Sequence, residues 1–338
     1  MRLPAIPASF FGMVLGLSGL GVAWRAAHRV WGLPAAIGET LMALAALVWL
    51  AVSVLYVLKW VFRREAARQE LDHPVQCCFV GLMGVATMLV GGAAQQPYSA
   101  AVALVLFALG AAFTLGFALW RTGGLWRGGR DHAHSTPVLY LPAVAGSYVV
   151  AAVAGGLGFT DWGQIAFGAG LFSWLAIESV LLHRLITLDS LPAPMRPLLG
   201  IQLAPAPVGA VAYLSVTNGP PDVFAHAMIG YGLLQALIVI RLLPWLRQAP
   251  FAPSYWAYTF GVAALSVAPL RLLERGDGGA IGILAPILFV GANLVVGLVA
   301  IGTLRLAVAG RLLPKAEPAS TAPTVANGEV VTAGSTGR

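Results

Sequence analysis

Few side chains in this sequence have the type and spacing to do chemistry, and each has a plainer reading beside it. Cys77 and Cys78 are neighbours, so they could act as a dithiol reductant or hold a soft metal. On a helix, however, adjacent side chains point about 100° apart, and no cation stands beside them in sequence to lower a thiol pKa. They read as two small core residues, and two cysteines build neither a disulfide framework nor a zinc site. Asp131, His132 and His134 have the composition of a metal centre, but they sit in a Gly-rich stretch without further ligands, as a solvated loop would. Glu178 lies well inside an apolar run, and Glu39 nearer the end of another. A carboxylate inside a bilayer is a candidate proton relay or ion ligand. Its plain alternative is a structural ion pair or helix-end contact, with a partner that sequence does not name. His183 and His226 stand near the ends of apolar runs and read as interfacial.

The elements that must position these groups follow from composition. Of the 338 residues, 59% are hydrophobic and only 10% charged, and the mean hydropathy is +0.83. A soluble domain would carry roughly 25% charged residues, so a water-soluble globular protein is excluded. At about 20 apolar residues per crossing, ten runs qualify as transmembrane helices: 6–24, 37–62, 75–94, 99–120, 137–157, 163–184, 200–217, 223–243, 254–273 and 280–304. They make an all-α integral membrane domain over residues 1–313, with no constellation of polar groups that would suit an enzyme and no motif that calls for a cofactor. The first run lacks a small-residue cleavage site and reads as a retained helix. From Pro314 to Arg338 the chain turns to Ala, Thr, Ser, Pro, Gly and Val without periodicity, which predicts a disordered cytoplasmic tail.

The formal charge of +7 does not point to nucleic acid, because the cations lie in short loops between apolar runs. Sixteen of the 20 Lys and Arg fall at the termini, in the loops after the even runs or at the adjoining ends of those runs, leaving Arg25, Arg29, Arg271 and Arg275 on the other side. The positive-inside rule then places both termini in the cytoplasm, as an even number of crossings also requires.

A second asymmetry separates odd from even runs. Leu plus Ile number 16 in the 98 residues of the odd runs and 35 in the 116 of the even ones. Branched aliphatics suit lipid, whereas small residues allow close packing or leave space, so the odd helices are expected inside and the even ones outside. Pro142, Pro205 and Pro207 stand within odd runs, where each frees a backbone carbonyl that must find protein or water. They either kink buried helices or line a watered path. The architecture reads as five helix hairpins around a centre, without a residue-level repeat. The densest aromatic cluster, Tyr255, Trp256, Tyr258, Thr259, Phe260 and Gly261, is either packing or a hydrophobic constriction.

Several segments resemble one family. IPASFFGMVLG at the N-terminus, GLWRG (124–128), TPVLYLPAVA (136–145), GAGLFSWLAIESVLLHRL (168–185), LGIQLAPA (199–206), GYGLLQ (230–235), RLLPW (241–245) and YWAYTFG (255–261) run in colinear order. Together they resemble the tellurite-resistance and dicarboxylate transporter family, which also includes plant slow-type anion channels and fungal malate permeases, over about residues 4–312. The resemblance implies five tilted hairpins around a pore lined by the odd helices, a homotrimer with one pore per subunit, and a bacterial inner membrane location. It also implies a phenylalanine gate, which falls on Phe260, resting against a glycine that falls on Gly12. Ser179 departs from the proline common in the family after the glutamate, so local kinking there is expected to differ and the pore to be spared.

The substrates implied are inorganic or small organic anions. The odd runs are read as carrying no buried lysine or arginine to hold an anion, so weak discrimination is expected from backbone dipoles and a basic cytoplasmic mouth. Three readings stand: a passive anion channel or uniporter, a proton-coupled carrier of C4-dicarboxylates or tellurite, and an enzyme using Cys77 and Cys78 on tellurite. The first leads.

Overall fold

The structure, a computed structural model, describes residues 5–95, 97–248 and 250–313. The tail expected from Pro314 onward lies outside the described residues. Among the described residues ten helices are long and apolar enough to cross a membrane: α1 Ala8–Trp31, α2 Ala35–Phe62, α3 Gln76–Ala94, α4 Ala100–Leu125, α5 Pro137–Gly156, α6 Thr160–Thr187, α7 Ala193–Val216, α8 Val223–Leu246, α9 Pro253–Glu274 and α10 Gly279–Val308. No strand occurs among the described residues, and each helix overlaps the run expected for it.

The odd and even helices differ as the Leu and Ile counts predict. In its most apolar stretch each odd helix has 67–78% of its residues buried, against 22–28% in each even helix. Leu47, Leu109, Ile165, Leu237 and Leu298, all on even helices, are exposed, as side chains that face lipid would be. Consecutive helices pack in pairs, and the odd ones also touch in the order α1, α3, α5, α7, α9 and back to α1. Close approach within a pair depends on missing side chains: a Cβ on Gly110 of α4 would lie 2.7 Å from the carbonyl oxygen of Gly84 in α3.

Each odd helix opens with a non-α segment, whereas the even helices are α throughout. The openings are 3-10 turns at Ala8–Phe10, Gln76–Gly81, Pro137–Leu139, Ala193–Leu203 and Pro253–Tyr258, with a π turn at Leu141–Ala145 following in α5. A 3-10 helix rises about 2.0 Å per residue with poorer hydrogen-bond geometry, and runs beyond a few residues are uncommon, so the 11 residues in α7 stand out. The prolines mark two of these junctions. Pro142 lies in the π turn, and Pro205 opens the α segment that follows the 3-10 stretch, with Pro207 two residues on. Helices α1 and α3 make the same transition without a proline at the junction.

A short helix, Arg64–Asp72, lies between α2 and α3 and carries a buried anchor. Glu70 accepts from Lys59 Nζ at 2.7 Å, from Tyr56 Oη at 3.1 Å and from the backbone N–H of Ala8 at 2.8 Å. Lys59 also donates to the carbonyl of Ile6 at 3.1 Å. The carboxylate thus satisfies an amide at the start of α1 that has no partner within the helix, and ties α1 to the end of α2.

Candidate functional site

Two cavities lie among the odd helices. The narrower, about 300 Å³, is lined by their opening segments, including Gly12, Phe79, Tyr140, Ile201, Pro205 and Trp256. The wider, about 580 Å³, lies toward their far ends and includes Gly19, Arg25, Arg29, Val153, Val211 and Arg271. Two residues line both cavities, Val208 of α7 and Phe260 of α9. The ring of Phe260 follows directly on the 3-10 turn Pro253–Tyr258, where α9 becomes α-helical at Thr259.

The aromatic cluster divides between the two readings open for it. Tyr255 Oη donates to the carbonyl of Leu246 at 3.2 Å and Trp256 Nε1 to Thr303 Oγ1 at 2.8 Å. A Cβ on Gly261 would lie 2.7 Å from the backbone of Leu203, so that glycine lets α9 meet α7. These residues pack, whereas Phe260 lines both cavities. The glycine beneath its ring is Gly19, where a Cβ would meet ring atoms at 3.3 and 3.7 Å. This corrects the expectation for Gly12, whose Cβ would meet only Cβ of Trp256, at 3.6 Å. Gly12 lies seven residues earlier on α1, about two helical turns at 3.6 residues per turn, and lines the narrower cavity instead. Of the three prolines, Pro205 lines the narrower cavity. The ring of Pro207 faces Gly232 of α8, and Pro142 comes near Gly81 of α3 through its Cα.

Glu178 is buried without a cation. It accepts from Tyr140 Oη, from Trp174 Nε1 and Gln202 Nε2, each at 2.8 Å, from Tyr231 Oη, and from Gln235 Nε2 at 3.4 Å. No ion pair among the described residues includes it, which corrects the ion-pair expectation. Five neutral donors from α5, α6, α7 and α8 satisfy its oxygens in place of the water that burial removes. Tyr140, which lines the narrower cavity, ties this network to it. Ser179 beside it is exposed and donates to Leu175 O at 3.2 Å, and α6 stays α-helical there.

The remaining candidates resolve as follows. Glu39 is gripped by Arg25 through Nε at 2.8 Å and Nη2 at 2.7 Å, and accepts from Tyr98 Oη at 3.0 Å. Cys77 and Cys78 are buried and free. Their sulfurs are 4.0 Å apart and both approach the carbonyl of Pro74, so they converge where helical geometry implied divergence. They also have cations nearby, since Arg121 and Arg130 donate to that same carbonyl at 3.2 Å; distant in sequence, these arginines were not expected there. Burial pulls the Arg130 pKa below its ordinary value. Asp131 accepts from the N–H of Ala133 at 2.9 Å and so closes its own turn, with His132 exposed beside it. His183 is exposed, and His226 bridges Asp277 at 2.8 Å.

Sequence reasoning missed four arrangements: the Lys59–Glu70 anchor, the donors around Glu178, the arginines near Cys77 and Cys78, and Arg271 on an odd helix lining the wider cavity.

Comparison with known proteins bears on all of this. The family described as voltage-dependent anion channel (SLAC1) matches residues 5–304. The tellurite resistance protein TehA homolog of Haemophilus influenzae is 34% identical over 300 residues, 88% of this chain and 90% of the relative. The guard cell S-type anion channel SLAC1 of Arabidopsis thaliana is 24% identical over 80% of this chain and 50% of its own length. The S-type anion channel SLAH2 of the same plant is 23% identical over 86% and 57%. The chain therefore spans half to a little over half the length of these plant relatives.

Proposed function

Since the chain belongs to the voltage-dependent anion channel family, we propose that it is a passive channel for small anions, its path formed by the two cavities and closed by Phe260. The observation that carries this reading is that Phe260 and Val208 alone among the lining residues belong to both cavities. An apolar constriction of this kind holds back ions by excluding the water they need, and a single side chain can lift it by moving. The non-α openings of all five odd helices place loosely bonded carbonyls around the narrower cavity, where water can satisfy them.

Passive passage fits the carboxylates better than proton coupling does. A coupled carrier needs a titrating group that faces its path in alternation. Glu178 lines neither cavity and is held by five donors, and Glu39, which lines the wider one, is held twice by Arg25. We place both termini in the cytoplasm of a bacterial inner membrane, from the sixteen cations on that side, and take the assembly to be a homotrimer with one path per subunit. A reporter fused after Leu313 and active only outside the cytoplasm would overturn the orientation.

The test is current through reconstituted liposomes under gradients of chloride, nitrate, malate and tellurite. We expect ohmic anion current that ignores a pH gradient. Flux driven by a pH gradient would replace the channel with a carrier.

A further inference from the structure

The wider cavity holds a guanidinium that no ion pair among the described residues engages. Three guanidiniums line it, those of Arg25, Arg29 and Arg271. Arg25 is paired with Glu39 and Arg29 with Glu274, each at 2.7 Å. Three cations against two carboxylates leave one over, and Arg271 is in no ion pair among the described residues. A guanidinium has five N–H donors. Among the described residues only Nη1 of Arg271 finds acceptors, Ser215 Oγ and, at 3.4 Å, the carbonyl of Val211. Nε and Nη2 have no protein acceptor, yet they are not among the buried polar atoms left without a partner, so this edge is open to the cavity. Arg275 makes the contrast: its Nη2 donates to the carbonyls of Leu214 and Thr217, closing the end of α7.

We infer that Arg271 is an anion-binding site in the wider cavity, taking a halide, nitrate or small oxyanion on its free Nε and Nη2 edge before the anion meets Phe260. The inference rests on reading that cavity as one half of the path. Eleven residues separate the two side chains, about 16 Å along α9 at 1.5 Å per residue, so an anion at Arg271 waits clear of the constriction. The free edge presents two parallel N–H groups, the geometry that matches two oxygens of an oxyanion. The bonds of Nη1 to Ser215 and Val211 hold the group in place, so binding need not order it. An uncompensated cation inside a membrane span is costly in the empty protein, and an arriving anion relieves that cost. Apolar neighbours such as Val22 and Val153 line the same cavity and strengthen the attraction by lowering the local dielectric. One unpaired guanidinium nevertheless binds weakly enough for release, as conduction requires.

The test compares Arg271→Gln and Arg271→Lys, each in a Phe260→Ala background that supplies current. With Arg271→Gln, nitrate and chloride conductance should fall several-fold at low salt, less at high salt, and the preference for anions over cations should weaken. Arg271→Lys should keep most of both. Unchanged conductance and reversal potential in well-assembled Arg271→Gln protein would overturn the site. If Phe260→Ala alone carries no current, the path reading has failed, and thermal unfolding in detergent decides the site by itself. Nitrate in place of gluconate should then stabilise the wild type but not Arg271→Gln, and equal stabilisation of both would reject it.

Discussion

The ring of Phe260 on α9 rests on Gly19 of α1, where a Cβ would stand 3.3 Å from Cδ2 of the ring and 2.9 Å from Cβ of Ala263. The two helices meet there with no room for a methyl group, so the position of the ring and the spacing of α1 from α9 are set together. Gly19→Ala should push the ring aside or the helices apart. Anion conductance should rise several-fold with some loss of thermal stability, since overpacking costs about 1–3 kcal/mol in soluble cores. Gly12→Ala should behave nearly as wild type, because its Cβ would make an ordinary 3.6 Å contact with Trp256. Currents from the two variants in parallel check this, and a larger effect at Gly12 would place the ring's seat there.

Glu178 should prove a fixed structural acceptor. Removing it strands donors on Tyr140, Trp174, Gln202, Tyr231 and Gln235, and each buried donor left unpaired costs about 1–3 kcal/mol. Glu178→Ala should therefore lower the unfolding temperature sharply, and Glu178→Gln, which keeps one acceptor oxygen, by less. Current through Glu178→Gln should keep its wild-type anion preference and stay indifferent to a pH gradient. A gain or loss of pH coupling in that variant would make the carboxylate a working part of transport.

The Lys59–Glu70 pair predicts a non-additive mutant cycle. Lys59→Met leaves a buried carboxylate without its cation and should destabilise by about 3–5 kcal/mol. Adding Glu70→Leu removes the stranded charge and should recover part of that loss, though the N–H of Ala8 and Tyr56 Oη lose their acceptor. Unfolding in detergent measures all three variants, and purely additive losses would mean that the pair is not coupled.

How much of this was legible in the sequence depends on range. The ten crossings could be read because hydropathy is a local property, and inside could be told from outside because Leu and Ile avoid the close contacts that small residues permit. The 3-10 openings of α1 and α3 could not be read, since no proline marks their junctions. The donors around Glu178 come from four helices, and linear spacing says nothing about contacts between helices. Their one local signal was Gln202 and Gln235, amides set in apolar runs. Arg271 stands near the end of an odd run and counts in sequence among the cations on the side opposite the termini, and nothing local shows that its side chain reaches a cavity. The cations near Cys77 were hidden in the same way, with Arg121 and Arg130 reaching Pro74 from more than forty residues away.

Those sulfurs offer a check on the enzymatic reading. Cys77 and Cys78 are fully buried against one carbonyl, so Cys77→Ser and Cys78→Ser, singly or together, should leave anion conductance and any tellurite resistance at wild-type levels. Resistance lost with conductance intact would revive a thiol-dependent reaction.

The central claim is that Phe260 closes a path between the two cavities, and anion conductance of Phe260→Ala in reconstituted liposomes tests it most directly. Removing the ring should join the cavities and raise current at least several-fold in protein that still assembles, with Phe260→Leu giving a smaller rise. A ring that merely fills space predicts the reverse: a cavity costing about 3–5 kcal/mol, by analogy with soluble cores, and no gain of current. Conductance unchanged or lost in well-assembled Phe260→Ala protein would contradict the account.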